Sequence, residues 1–135
     1  MVQLVMSGHD QPMTMKLLIV DDSELIRTRL LGLFERLPGI GATHTADTLA
    51  QTLERVRCER PTLVILDLHL PDGNAIQIIS SLKQLEVGMG IAILTNDASE
   101  FNRRKCLGAG ADWFFDKSTE FENLIEVVRE LAVLQ

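Results

Sequence analysis

The sequence has little of what several common functional classes require. Its 13 Lys and Arg are outnumbered by 19 Asp and Glu, which gives a net charge of -6 and a pI near 5.0. An acidic chain is repelled by a phosphate backbone, which argues against direct nucleic-acid binding as its main task. No apolar run approaches the roughly 20 residues that a membrane span needs. The first residues do not resemble a signal peptide either, so we expect a cytoplasmic protein with no membrane partner.

Cysteine and aromatic residues are also scarce. The chain has two cysteines, Cys58 and Cys106, no tyrosine and one tryptophan. Neither cysteine has a Cys or His close to it in the sequence, so a cysteine metal site or a redox pair is not indicated. We interpret both cysteines as small buried hydrophobic residues.

The overall composition is that of one folded domain. Hydrophobic residues make up 46% of the 135 residues and charged residues 24%. This balance is ordinary for a globular protein, and the length leaves room for one core. Residues 1–14 show no sustained periodicity, so we expect a flexible tail there and a single domain over residues 15–135.

Short apolar runs alternate with amphipathic stretches along this domain. The second run is polar enough for a sheet edge, and the third is continuously apolar, as suits a central strand. Five strand-helix units without a hairpin signal predict a doubly wound α/β fold, with a five-stranded parallel sheet and helices on both faces. The predicted strands are residues 16–20, 40–45, 63–66, 91–94 and 113–115.

Local signals predict where the helices begin and end. Ser23 is placed to cap the first helix, and Gly108 is placed to close the fourth. Thr119 and Glu122 have the spacing of a capping box at the start of the fifth helix. The stretch from His69 to Asn74 is predicted to be a loop, because it contains a proline and a glycine.

Polar side chains stand at four of the predicted strand ends: Asp21 and Asp22, Asp67, Thr95 and Lys117. Groups beyond the carboxyl ends of the strands carry function in such sheets, so three carboxylates, a hydroxyl and an amine should converge. Two carboxylates about 5 Å apart repel by roughly 3 kcal/mol at an effective dielectric constant of about 20, so three together need a cation or protons. Oxygen ligands favour Mg²⁺. Such a site suits phosphoryl chemistry, in which an Asp can form an aspartyl phosphate.

These residues resemble a known family when taken with their neighbouring motifs. The Asp21-Asp22 pair, the DLHLPDG run from Asp67, Thr95 and the GAGADWFFDK run that ends at Lys117 are similar to a response-regulator receiver domain of two-component signalling. The resemblance covers residues 15–135. It implies a flavodoxin-like sheet with strand order 2-1-3-4-5, and a signalling protein with no turnover substrate.

The resemblance also implies roles for the acidic residues. Asp67 would accept a phosphoryl group from a histidine kinase or a histidine phosphotransfer protein. Asp22 and Asp67 would hold Mg²⁺ together with the backbone carbonyl of His69, and Asp21 would act largely through water.

The remaining site residues would bind the phosphoryl group and transmit its presence. Thr95 and Lys117 would each bond a phosphoryl oxygen. Phe114 falls at the position of the family's switch aromatic, and we expect it to swing from outward to inward as Thr95 moves. The surface that changes would be the fourth helix, fifth strand and fifth helix, including Arg103 and Lys105. It would bind a downstream protein or a second copy of the chain.

The sequence departs from the family pattern at three positions. Ser118 follows Lys117 where many receivers have proline, which leaves the geometry of the Lys117-Ser118 peptide open. Asn96 replaces a small residue after Thr95 and is expected to narrow access to the site. Ala75 stands where a second glycine often follows the loop, so the entry to the third helix should be less free to adopt positive φ.

Other functions remain as alternatives at this point. A Mg²⁺-dependent phosphatase-like hydrolase also uses a strand-end Asp, but it wants a second acid two residues later, where this chain has His69. A flavodoxin-like FMN binder would need a phosphate cradle where Asp21 and Asp22 repel phosphate. Within the receiver class we favour a stand-alone receiver, because the chain ends at Gln135, over the receiver half of a truncated DNA-binding transcription regulator.

Overall fold

The computed structural model of the protein describes residues 14–134, where five strands alternate with five helices. The predicted tail over residues 1–14 lies outside this range, apart from Thr14. The strands are β1 Met15–Val20, β2 Ile40–Ala46, β3 Leu63–Leu66, β4 Gly90–Thr95 and β5 Trp113–Asp116. The helices are α1 Glu24–Phe34, α2 Leu49–Glu59, α3 Ile76–Leu85, α4 Glu100–Ala109 and α5 Phe121–Val133.

The five strands form one parallel sheet in the order β2-β1-β3-β4-β5. This confirms the doubly wound fold and the order 2-1-3-4-5. The polar strand β2 lies at an edge, and the apolar strand β3 lies at the centre with all four residues buried. Strand order reverses between β1 and β3, so a crevice opens beyond their carboxyl ends.

Apolar side chains cover the sheet on both faces. Alternate residues of β1 point to opposite sides, so Leu18 and Val20 join one core cluster while Leu17 and Ile19 join the other. Helices α2, α3 and α4 pack on the first face, and α1 and α5 pack on the second. The strand ends are thereby held between two packed layers. Within residues 14–134, no helix is long and apolar enough to cross a membrane.

Two predicted helix signals are wrong in detail. Gly108 lies inside α4, and the helix ends at Ala109 with Gly110 as its C-cap, whose φ of 121° suits the reversal of the chain. The capping box of Thr119 and Glu122 does not form, since α5 has no side-chain cap and Glu120 precedes its first residue. Glu120 Oε1 instead accepts the N–H of Asp116 at 2.9 Å. The predicted cap at Ser23 is confirmed, with Oγ accepting from the Ile26 N–H at 3.3 Å.

The predicted loop after β3 contains a small hairpin. His69–Leu70 pairs antiparallel with Gly73–Asn74. Gly73 has a φ of 146°, which is available to glycine and lets the chain reverse in the two residues between the strands. The expectation of no hairpin is therefore wrong at this loop, where Pro71 and Asp72 followed by Gly73 form a short turn.

The two cysteines differ from each other in their surroundings. Cys106 is fully buried, as predicted, and burial raises the pKa of its thiol to about 11. Cys58 is exposed on α2, so its interpretation as a buried residue is wrong. It follows Val56, which carries the buried stripe of that helix, by two positions and therefore lies on another face.

Two glycine substitutions should distinguish the observed end of α4 from the predicted one. Gly110→Ala should lower the free energy of unfolding by about 1 to 3 kcal/mol, because a side chain is strained at positive φ. Gly108→Ala should raise it by up to about 1 kcal/mol, since that position is helical and has open space around it. Urea denaturation of both variants measures the two changes, and equal effects would contradict the observed helix end.

Candidate functional site

Backbone hydrogen bonds at the carboxyl ends of the strands hold the predicted site residues. The Asp67 N–H donates to the Val20 carbonyl at 2.9 Å. The Lys117 N–H donates to the Thr95 carbonyl at 2.8 Å. Asp21 is held in the same way, by a bond to the neighbouring edge strand. Each residue therefore extends the hydrogen-bonding pattern of its strand by one position. The sheet thus fixes the backbone position of each site residue.

Lys117 joins the two buried acids. Its Nζ lies 2.8 Å from Asp21 Oδ2 and 3.4 Å from Asp67 Oδ2. Asp21 and Asp67 are 2% and 9% exposed, so both carboxylates are largely withdrawn from water. Their other oxygens accept backbone N–H groups, from Ser23 at 2.9 Å and from Leu68 at 2.7 Å. The structure thus brings the predicted amine into contact with two of the three predicted acids.

Burial and charge shift the proton affinities of this group. Burial raises the pKa of the Asp67 carboxyl above its ordinary value, and the nearby charge of Asp21 adds to the rise, although Lys117 opposes it. Burial by itself would lower the pKa of the Lys117 ammonium, but the hydrogen bond to Asp21 and the charges of both acids raise it above its ordinary value. Lys117 is therefore charged at neutral pH, and the charged form of Asp67 carries a cost.

The three predicted acids can surround one cation. Asp21, Asp22 and Asp67 each offer a carboxylate oxygen, and these oxygens lie within 4.8 Å of one another. Asp22 is exposed, whereas the other two are buried, so a cation could enter from the Asp22 side. Carboxylate oxygens and waters are the ligands that Mg²⁺ takes. The residues present therefore fit a hard divalent cation.

The threonine and the loop after β5 complete the wall of the site. Thr95 is buried, and its Oγ1 accepts the N–H of Asp97 at 3.0 Å. The Lys117-Ser118 peptide is trans, and the turn is made by Asp116 Oδ1, which accepts the Ser118 N–H at 2.8 Å. Serine therefore replaces proline without loss of the turn. Asn96 is exposed beside it, with Oδ1 3.5 Å from Ser118 Oγ.

The loop residue Ala75 also fits without a glycine. Its φ is -63°, in the right-handed helical region that any residue adopts. The expected restriction at the entry to α3 is therefore absent.

A side-chain hydrogen bond crosses the mouth of the site. His69 Nε2 lies 2.6 Å from Asp97 Oδ2, and the hydrogen bond from His69 keeps the pKa of the Asp97 carboxyl below its ordinary value. Both side chains are exposed. They border a cavity of about 430 Å³ that is lined by Asp67, His69, Thr95, Asn96, Asp97 and Lys117.

Asp97 was missed by the sequence reasoning. It follows Thr95 by two residues, as His69 follows Asp67 by two residues. Since β3 and β4 are paired parallel neighbours, the loops that follow them leave the sheet side by side, which brings the two side chains together. Their positions in the loops after adjacent strands were the available signal.

The starting position predicted for Phe114 is wrong. Phe114 is 6% exposed and belongs to the core cluster beneath α4, together with Ile93 and Cys106. The aromatic ring is inward because the space between β4, β5 and α4 needs a large apolar side chain. A swing from outward to inward cannot begin from this structure.

Residues 17–129 match the profile of the response regulator receiver domain, which is most of the chain. The chain belongs to this family. Receiver domains bind Mg²⁺ at an acidic pocket, and the acids of this receiver domain form such a group.

Relatives and solved structures agree with the assignment. A Pseudomonas aeruginosa protein named as a transcriptional regulator is 36% identical over 113 residues, which are 84% of this chain and 53% of that protein. This receiver domain spans about half the length of the curated relatives that it matches. A CheY-like receiver domain protein of Methanospirillum hungatei has 27% identity and a TM-score of 0.77, over 88% of this chain and 94% of that one.

A second solved structure carries a modified site. It is a response regulator of Burkholderia pseudomallei with a phosphorylated aspartic acid, a calcium ion and citrate. It is 26% identical with a TM-score of 0.75, over 88% of this receiver domain and 69% of that chain.

The buried acids should destabilise the metal-free protein. Asp67→Asn should raise the free energy of unfolding at neutral pH by roughly 1 kcal/mol, because it removes one charge from a repelling group that Lys117 offsets in part. The raised pKa of Asp67 means that its cost is present above that pKa. The gain should therefore shrink as pH falls through the raised pKa of Asp67 and should be gone below 3.8, the ordinary Asp value, where the carboxyl is neutral in both states.

Denaturation by urea in the presence of a chelator, at neutral and acidic pH, measures this effect. Asp22→Asn is the matched control, because Asp22 is exposed and should change stability little. A loss of stability in Asp67→Asn at neutral pH would contradict the assignment of charge repulsion.

Proposed function

We propose that this chain is a phosphoacceptor receiver in which Asp67 takes a phosphoryl group from a histidine kinase or a histidine phosphotransfer protein. The observation that carries the proposal is the position of Asp67. Its carboxylate ends the central strand, lies 3.4 Å from Lys117 Nζ and shares a cavity with Thr95. Receiver domains interact with histidine kinases and with downstream targets, and family membership supports the same class of partners here.

The proposed transfer exchanges one bond at phosphorus for another. An oxygen of the Asp67 carboxylate attacks the phosphorus of a phosphohistidine, and a P–O bond forms as the P–N bond breaks. The electron pair of the broken bond stays on the imidazole nitrogen. Lys117 and Thr95 are placed to donate hydrogen bonds to phosphoryl oxygens, which disperses the charge of the transferring group.

A divalent cation would be held by Asp22, Asp67 and the backbone carbonyl of His69, with Asp21 acting through water. It would supply positive charge to the acids and to a phosphoryl oxygen. Asp21 has a further task in this structure, because it accepts a bond from Lys117 and so holds the ammonium over the site. The calcium ion and phosphorylated aspartic acid of the Burkholderia pseudomallei structure support this assignment by similarity.

The proposed output is a change in a protein-binding face formed by α4, β5 and α5. Phe101 on α4 is 68% exposed, with Lys105 Nζ 5.4 Å from its ring centroid. Arg103 Nη1 donates to the Phe114 carbonyl at 3.4 Å, which joins α4 to β5. A phosphoryl group that draws Thr95 toward itself would shift β4 and alter this junction. The partner would be a downstream protein or a second copy of the chain.

A second candidate function is the receiver half of a DNA-binding regulator. It is favoured by the Pseudomonas aeruginosa relative, which is named as a transcriptional regulator and of which the matched residues make up 53%. The phosphatase-like alternative has no such support, and the residue two positions after Asp67 is His69, which pairs with Asp97. Neither receiver function requires turnover of a separate substrate.

The proposal predicts one modified residue. Incubation of the protein with Mg²⁺ and acetyl phosphate should add the mass of one phosphoryl group, and the adduct should be lost in mild base because it is an acyl phosphate. Asp67→Asn should show no adduct by intact mass spectrometry. Glu24→Gln changes an exposed acid in the first turn of α1 and should be modified like the wild type. An adduct that persists in Asp67→Asn would refute the proposal.

The proposed output face should also change its structure when a phosphoryl group, or a mimic of one, binds at Asp67. Addition of Mg²⁺ and beryllium trifluoride, a phosphoryl mimic, should shift backbone amide resonances of α4 and β5 as well as those around Asp67. Glu54, on the exposed face of α2, provides a reference amide that should stay unchanged. NMR shifts confined to the residues around the cavity would show that this face is not the output.

A further inference from the structure

The hairpin after β3 is tied to a neighbouring helix by one carboxylate. Asp72 Oδ1 accepts the Leu49 N–H at 2.7 Å, and Oδ2 accepts the Ala50 N–H at 3.1 Å. These are the first two residues of α2, whose N–H groups have no partner within the helix. The Leu49 N–H is the largest cause that holds the pKa of the Asp72 carboxyl below its ordinary value. The contact therefore bridges two elements that are 22 residues or more apart in sequence.

The same helix already has a cap of its own. Thr48 Oγ1 accepts the Gln51 N–H at 3.0 Å. Thr48 and Asp72 thus satisfy different donors of the same first turn. They differ in one respect: Thr48 belongs to the helix it caps, whereas Asp72 belongs to the hairpin that follows the phosphoacceptor strand.

Other contacts make the hairpin a rigid link between Asp72 and the site. A Cβ added at Gly73 would lie 3.0 Å from Leu49 Cδ1, so the hairpin backbone rests closely on α2. At the base of the hairpin, the Ala75 N–H donates to the Leu68 carbonyl at 2.7 Å. His69 lies between the contact with α2 and the hydrogen bond at the base of the hairpin, and it pairs with Asn74 across the hairpin.

We propose that Asp72 is a positioning residue of the phosphoacceptor site, which sets cation affinity by holding the hairpin that carries His69 against α2. The inference rests on the proposed function, in which the His69 carbonyl and the Asp67 carboxylate contact the cation. Loss of the two hydrogen bonds between Asp72 and α2 frees the hairpin tip and lets His69 move relative to Asp67. Coupling between two sites is reciprocal, so a cation bound at Asp67 should also steady the first turn of α2.

The first test is a Mg²⁺ titration followed by NMR. Asp72→Ala should weaken Mg²⁺ binding about tenfold, the scale seen when a residue behind a metal ligand is removed. Asp72→Asn keeps one acceptor oxygen and should lose less. Thr48→Ala is the matched control: it removes a cap from the same helix and lowers stability, but it should bind Mg²⁺ like the wild type.

The second test measures the coupling between the cation site and the first turn of α2. Hydrogen exchange of the Leu49 and Ala50 amides should slow when Mg²⁺ is added to the wild type. The same amides in Asp72→Ala should exchange at a rate that Mg²⁺ does not change. A residue that only stabilised α2 would give no Mg²⁺ dependence in either protein.

The outcomes separate this inference from the proposed function. Wild-type Mg²⁺ affinity in Asp72→Ala, or an equal loss in Thr48→Ala, would overturn the positioning role while Asp67 was still phosphorylated in the wild type. Absence of Mg²⁺ binding and of phosphorylation in the wild type would overturn both. A weakened affinity in Asp72→Ala alone, with the exchange difference, supports the role of Asp72.

Discussion

Charge balance at the carboxyl end of the sheet is the constraint on which the site depends. Asp21 and Asp67 are buried where parallel strands end, and Lys117 contacts both carboxylates. Buried charges are costly unless they are paired and hydrogen-bonded, and each of these acids also accepts a backbone N–H. One ammonium faces two buried carboxylates and the exposed Asp22, so negative charge remains in excess. That excess is what a divalent cation would neutralise.

The rest of the fold gives these charges their fixed positions. Two apolar layers hold the strands, and ladder bonds such as Asp67 to Val20 continue into the site. The hairpin that carries His69 is not part of the sheet, and Asp72 holds it to α2 instead. The residues proposed to bind the cation are therefore held in two ways, some by the sheet and His69 by a contact with a helix terminus.

The sequence predicted the sheet and the strand-end residues because both follow from the local order of apolar and polar residues along the chain. Apolar runs of strand length located β3 and β5, and the polar residues that follow these runs included Asp67 and Lys117. Contacts that depend on three-dimensional packing were missed or misplaced. Helix α4 is capped by Gly110 and not by Gly108, since the position of the backbone reversal and not the residue type decides the cap. The inward ring of Phe114 likewise depends on space left by neighbours, and a single sequence does not contain that information.

The most direct measurement of the charge constraint is urea unfolding of the wild-type protein at increasing MgCl₂, compared with NaCl of equal ionic strength. A cation that binds the native acids stabilises the folded state in proportion to the logarithm of its concentration above the dissociation constant. The account predicts a midpoint that rises with Mg²⁺ beyond the NaCl control. Identical midpoints in the two salts at every concentration would contradict it.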